Sequence, residues 1–321
     1  MNIKKITALL CAVVMVLSLA ACGSNGDKAS DSKHYTIGIC QLVQHEALDA
    51  ATKGFRDAIT DALGAENVTF DEQNAAGDTP TCATICNGFV SSGVDLILAN
   101  ATGALQAAAA ATKDIPILGT AVTEYGVALG IDNFSGAVGG NISGTSDLAP
   151  LDQQAAMITE LFPDAKNVGI IYCSGEPNSV YQVEVVKAAL EKVGCTVNTY
   201  TFSDTNDVVS VTGTASDAND VLYIPTDNTA ASCAEAIKSA AKKPIVAGEE
   251  GICKGCGVAT LSIDYYELGR TTGEMAVKIL KGEADISTMA IEYYPNPVKK
   301  YNPEMVEHYN LTIPSDYAAI G

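Results

Sequence analysis

Short runs rich in β-branched residues alternate with longer amphipathic stretches along most of this chain, and that alternation constrains the fold more than any other feature. Strand signals fall at residues 35–41, 68–71, 95–99 and 116–119, with helical periodicity over 47–63, 81–91 and 103–112 between them. A strand, a helix and a further strand in succession pair in parallel, because the helix carries the chain back along the sheet. The series then restarts. Helices are expected at 151–161, 179–193, 207–215 (weak) and 229–241, and strands at 168–172, 196–200, 221–224 and 244–247. The expected fold class is therefore α/β, with two doubly wound parallel-sheet lobes joined by a hinge. The glycine-rich stretch 136–150 reads as a crossover between lobes rather than as a packed element. A long helix over 265–281 ends at Gly282, followed by a strand at 289–294 and a proline-punctuated tail. The first lobe is expected at 34–144, with 262–289 returning to it. The second is expected at 145–261, with 290–321 returning to it.

The start of the chain predicts export. Lys4 and Lys5 precede an apolar run over 6–20, shorter than the roughly 20 residues a membrane-spanning helix needs. Leu19-Ala20-Ala21-Cys22 followed by Gly23-Ser24 has the form of a lipoprotein cleavage box, so 1–21 is expected to be a signal peptide and Cys22 the lipidated first residue. A plain signal peptide or a short anchor is the alternative. Residues 22–33 offer no large apolar side chain for burial and read as a flexible tether. A formal net charge of -19 makes nucleic acid a poor partner and repels anionic headgroups, leaving membrane attachment to acyl chains.

Ten cysteines are present, of which Cys11 and Cys22 fall in the leader and its cleavage box. Cys82 with Cys86 and Cys253 with Cys256 are close pairs. His34, His45 and His308 show no ligand spacing, so no metal site is expected. Buried free thiols or, for Cys253 and Cys256, a local disulfide both fit, and the oxidation state stays open here.

Ligands of open parallel sheets bind beyond the carboxyl ends of the strands, where loops lead into helix N-termini. In the first lobe those loops carry Gln41, His45, Thr102, Thr120 and Thr123. In the second they carry Glu176, Asn178, Ser179, Asp227, Asn228 and Glu249. Hydroxyls and amides mixed with carboxylates suit a zwitterion: helix-start N–H groups take its carboxylate and Asp or Glu its ammonium. Such residues equally serve as helix caps. Six polar loops on one face favour a ligand site. No GxSxG, GxxxxGK[ST], HExxH or DxDxDG motif occurs, so an enzyme is not expected, and His45 beside Glu46 is the nearest approach to an acid–base pair. No cofactor is expected.

Four motifs in order, Gly140-Asn141-Ile142-Ser143-Gly144-Thr145-Ser146-Asp147, the stretch from Gly169 to Ser179, Pro225-Thr226-Asp227-Asn228 and Asp264-Tyr265-Tyr266-Glu267-Leu268-Gly269-Arg270-Thr271, resemble the ABC transporter substrate-binding proteins of the tryptophan/tyrosine-receptor type. The resemblance covers essentially the whole mature chain. It implies a type I periplasmic-binding (Venus-flytrap) fold, a monomer common as a lipoprotein on Gram-positive surfaces, a small zwitterionic ligand, most often an aromatic amino acid, and delivery to a permease and its ATPase. A surface sensor or adhesin of the same fold is the alternative. By that resemblance Thr145, Ser146 and Asp147 face the cleft at the crossover. Glu176, Asn178 and Ser179 head a helix that holds the ligand carboxylate, and Asp227 with Asn228 meets its ammonium, while Thr102 and 120–123 come from the first lobe. Glu124-Tyr125, Cys173 and the segment 249–257 depart from the family pattern. The chain has no tryptophan, leaving Tyr125, Tyr172, Tyr181 and Tyr223 as rings for stacking or for the core.

Overall fold

The computed structural model describes residues 33–321; the expected signal peptide, Cys22 and nearly all of the tether lie outside them. The first lobe carries β1 (Tyr35–Gln41), β2 (Val68–Asn74), β3 (Leu96–Asn100), β4 (Ile117–Val122), β5 (Ile142–Ser146) and the short β11 (Glu292–Tyr293). They form a sheet in the order β11-β5-β4-β3-β1-β2, parallel throughout. One face is covered by α1 (Glu46–Leu63) and α11 (Tyr265–Leu280), with Phe55, Ile59 and Met275 buried there. The other is covered by α2 (Thr79–Ser92), α3 (Thr102–Ala111) and α4 (Tyr125–Leu129), burying Phe89, Leu105 and Tyr125.

The second sheet runs β13-β12-β10-β9-β8-β6-β7. Its strands are β6 (Asn167–Cys173), β7 (Thr196–Phe202), β8 (Val221–Ile224), β9 (Ile245–Ala247), β10 (Ala259–Ser262), β12 (Val298–Tyr301) and β13 (Ala318–Ala319). Only β10 with β12 is antiparallel. Around it pack α5 (Leu151–Leu161), α6 (Pro177–Lys192), α7 (Val208–Ala218), α8 (Asn228–Ser232), α9 (Ala234–Ala240), α10 (Glu250–Cys256) and α12 (Pro303–His308). The chain passes between sheets at 147–150, 263–264 and 294–297, so three crossovers form the hinge.

The glycine-rich stretch contains a strand that sequence composition hides. Every residue of β5 is buried, and Gly144 stands opposite Gly119 of β4. A Cβ on Gly144 would lie 2.1 Å from the Gly119 carbonyl oxygen and 2.4 Å from the Tyr125 hydroxyl, and its φ of +145° is one that L side chains rarely adopt. Glycine is there to let Tyr125 lie across two strands, not to unwind them. The lobe boundary expected at 144/145 thus falls inside β5, and Glu292–Tyr293 pairs in the first sheet rather than the second. The helix expected over 229–241 is interrupted at Cys233, and the tail contributes edge strands β12 and β13.

Glycine also sets the distance between α1 and α11. Cβ atoms on Gly54 and Gly269 would each approach a facing backbone carbonyl oxygen, of Tyr266 and Ala51, to 2.0 Å. The two helices therefore touch backbone to backbone. All eight cysteines among the described residues are free, six of them buried, so Cys253 and Cys256 form no disulfide.

Candidate functional site

The carboxyl ends of both sheets face each other across a cavity of about 330 Å³, which Leu42, Val43 and Gly103 line from the first lobe and Glu176, Asn178 and Thr229 from the second. A further cavity of about 200 Å³ reaches Tyr265 and Glu249 nearer the hinge. Among the described residues no Lys or Arg is buried, whereas Asp147, Glu176, Asp227 and Glu249 all are. The gap is acidic.

Those carboxylates differ in what they already hold. Glu176 accepts from the Asn228 and Thr229 N–H groups, the Thr229 hydroxyl and the side-chain amides of Asn178 and Asn228, at 2.7–3.1 Å. It ties the head of α6 to the head of α8 and leaves α6 itself without a side-chain cap. Asp227 caps α8 through Ala230 N–H at 2.8 Å and accepts Cys173 N–H at 2.7 Å, so both its oxygens are taken by backbone. Burial and neighbouring Glu176 push its carboxyl upward, against those bonds. Glu249 caps α10 through the Gly251 and Ile252 N–H groups, and burial pushes it up to about 7. These three carboxylates are structural caps, as the capping alternative for such residues anticipates.

Asp147 is the exception. It sits on the first crossover, its Oδ2 accepts the Tyr265 hydroxyl at 3.0 Å, and its Oδ1 is buried with no hydrogen-bond partner. Burial raises its pKa, while Thr123 and Tyr265 act in the opposite direction. Of these four buried carboxylates, Asp147 is the one with an oxygen left unpaired, whereas both oxygens of Asp227 are taken. Tyr265 was not among the residues picked from sequence; its signal is its place at the start of the helix that follows the second crossover.

The remaining expected residues divide in the same way. Thr120 and Thr145 point under α11, where their hydroxyls form a triad with Thr272 at 2.8–3.2 Å, away from the gap. Ser146 donates to the Thr123 carbonyl at 2.7 Å and steadies the crossover. Gln41 accepts from Thr52 and donates to Asp49 and the Val43 carbonyl, and Thr52 accepts from Asn100. That chain of bonds fixes Asn100, whose buried Oδ1 is also unpartnered. Thr102 heads α3 and is buried there behind Ala101, whose φ of +85° is strained for a residue with a Cβ. Neither α3 nor α6 has a side-chain cap, and their N-termini approach the cavity from opposite lobes at Gly103 and at Pro177 and Asn178. Ser179 is fully buried, hydrogen-bonded to Asn178 and Asp227. His45 and Asn228 meet across the gap, Nε2 to Oδ1 at 3.3 Å. Tyr125 and Tyr223 are core residues, bonded to the Thr145 carbonyl and to Gln154, and neither Tyr172 nor Tyr181 lines the larger cavity.

Known proteins agree with this architecture. A family model described as ABC transporter substrate binding protein matches residues 36–315. A tyrosine-binding protein of Clostridioides difficile is 39% identical over 295 residues, 88% of this chain and 85% of that one. An ABC domain from Streptococcus pneumonia, solved in complex with L-Trp, superposes with a TM-score of 0.84 at 33% identity, over 88% of this chain and 97% of that one. The ligand-free, open structure of a Clostridium difficile substrate-binding protein with adhesive properties is more similar in sequence, at 37% over 89% of this chain and 99% of that one, yet superposes at only 0.68. The arrangement of the lobes here therefore differs from that open one. These relatives bind substrates and do not transform them, and with its two facing lobes and its match along nearly the whole length the chain belongs to the ABC transporter substrate-binding protein family, as a solute-binding protein and not an enzyme.

Proposed function

We propose that this protein is the extracytoplasmic receptor of an amino-acid importer, lipid-anchored through Cys22, that closes on a free aromatic amino acid of the tyrosine or tryptophan kind and presents it to a permease. The observation that carries the reading is the unpartnered Oδ1 of Asp147, a buried acceptor on the first crossover between the lobes, in a protein whose described residues include no buried Lys or Arg. A buried carboxylate oxygen left unpaired is costly, and a ligand ammonium removes the cost. The uncapped heads of α3 and α6 supply N–H groups for the ligand carboxylate. The tyrosine-binding and L-Trp-bound relatives support the aromatic class. Thermal shift across an amino-acid panel tests it: L-tyrosine or L-tryptophan at a hundred times its dissociation constant adds about 2.7 kcal/mol of stability. A flat response to the whole panel rejects the ligand class.

A surface-adhesion role is a second reading, favoured by the adhesive properties of the 37% identical relative. Binding of whole cells to an immobilised host-surface preparation, compared with a deletion strain, separates it from transport.

A further inference from the structure

We propose that His45 couples lobe closure to proton concentration: its neutral ring bridges the closed lobes, and protonation of that ring opens them. The proposal rests on the preceding reading that the ligand is held by closure.

His45 stands at the N-cap of α1, a position where Ser, Thr, Asp or Asn serve the helix best, yet its side chain makes no cap bond. It reaches instead to Asn228 of the other lobe, Nε2 to Oδ1 at 3.3 Å. Asn228 cannot choose its orientation, because its Nδ2 donates to Glu176 Oε2 at 2.8 Å, so the oxygen faces the ring. An oxygen facing Nε2 makes that nitrogen the donor. Nδ1 is then the deprotonated nitrogen, and it is buried without any partner. A second proton would have to go onto Nδ1, where nothing accepts it.

The charges around the ring do not rescue the imidazolium. On its own helix Glu46 and Asp49 are nearest; from the other lobe come Glu176 at the head of α6 and, around the adjoining groove, Cys233, Glu235 and Lys254. Glu46 is already paired with Lys254 at 2.7 Å, a second link across the gap. Burial outweighs the bond to Asn228 and the pull of Glu176 and Asp49, and lowers the His45 pKa. Once the lobes part, the ring meets water and returns to its ordinary value of about 6.5. The closed form thus binds fewer protons than the open one, so closure weakens as pH falls from above 6.5 toward the lowered value. Asp147 and Glu249, buried nearer the hinge, are shifted upward and titrate with the opposite effect on the empty protein, which makes a variant comparison necessary.

The test compares the full chain with His45→Gln, whose amide keeps a donor toward Asn228 and does not titrate. Dissociation constants for L-tyrosine and L-tryptophan are measured between pH 7.5 and 5.5. Wild type is expected to lose more affinity than H45Q over that interval, up to the about tenfold limit set by one proton with an open-state pKa near 6.5. Parallel profiles overturn the proposal. Should H45Q fold poorly, nitrogen-15 imidazole spectra of wild type decide it: with ligand bound the His45 ring titrates at lower pH than in the ligand-free protein, and titration at the same or higher pH overturns it. Failure of both amino acids to bind at pH 7.5 counts against the functional reading alone. Small-angle scattering of the empty proteins then decides the latch, with wild type expanding on acidification more than H45Q, and identical profiles overturning it.

Discussion

Asp147 presents one satisfied and one unsatisfied oxygen, and this asymmetry separates its contribution to folding from its contribution to binding. Asp147→Asn keeps the shape and removes a buried charge that lacks a cationic partner, so the empty protein should melt no lower than wild type. Loss of a charge-assisted bond, about 1.5–3 kcal/mol, should weaken L-tyrosine or L-tryptophan by about 10- to 100-fold in calorimetry. Equal affinity in D147N would remove the ammonium assignment. The sequence points to the loops at the carboxyl ends of the strands but does not show which of their carboxylates keeps an unpaired oxygen. Asp227 and Asp147 both precede helices in polar loops, and composition cannot reveal that two backbone N–H groups saturate the first while none reaches Oδ1 of the second.

At the level of strands and helices, two pairs of glycines fix spacings that larger residues would not permit. Gly144→Ala puts a methyl group against the Gly119 carbonyl in a backbone conformation unsuited to it and displaces the Tyr125 ring. A destabilisation of more than about 2 kcal/mol is expected in urea unfolding, and an unchanged midpoint would contradict the slot. Gly269→Ala should act similarly by pushing α11 off α1. Its effect should appear as early hydrogen exchange in those two helices. Alternating apolar character made most of the βα series legible, because a strand buried on both faces reads as a continuous apolar run. β5 escaped for the same physical reason that it matters: Ile142-Ser143-Gly144-Thr145-Ser146 is central and buried, but its small and hydroxylated side chains serve the Tyr125 slot and the threonine triad, and so mimic a loop.

For the molecule as a whole, the buried carboxylates set the response to pH. Glu249, pushed up to about 7, and Asp147, also raised, hold protons in the folded state that the unfolded chain releases near pH 4. Their contribution to stability is therefore fully present in acid and is lost as pH rises toward 7. The ligand-free protein should melt higher at pH 5.5 than at 7.5, and Glu249→Gln should flatten the difference; a steeper dependence in E249Q would contradict it. Membrane attachment is tested separately: Cys22→Ala should move the protein from the membrane fraction to the medium. The hinge has one further consequence. Because the chain crosses between sheets three times, the first lobe is assembled from segments at opposite ends of the sequence, with α11 and β11 arriving last. During synthesis α1 packs on the sheet but lacks its partner helix until Tyr265 and its successors emerge. Such a polypeptide cannot fold vectorially, one half after the other, and any truncation before α11 should yield an aggregating product rather than a working half.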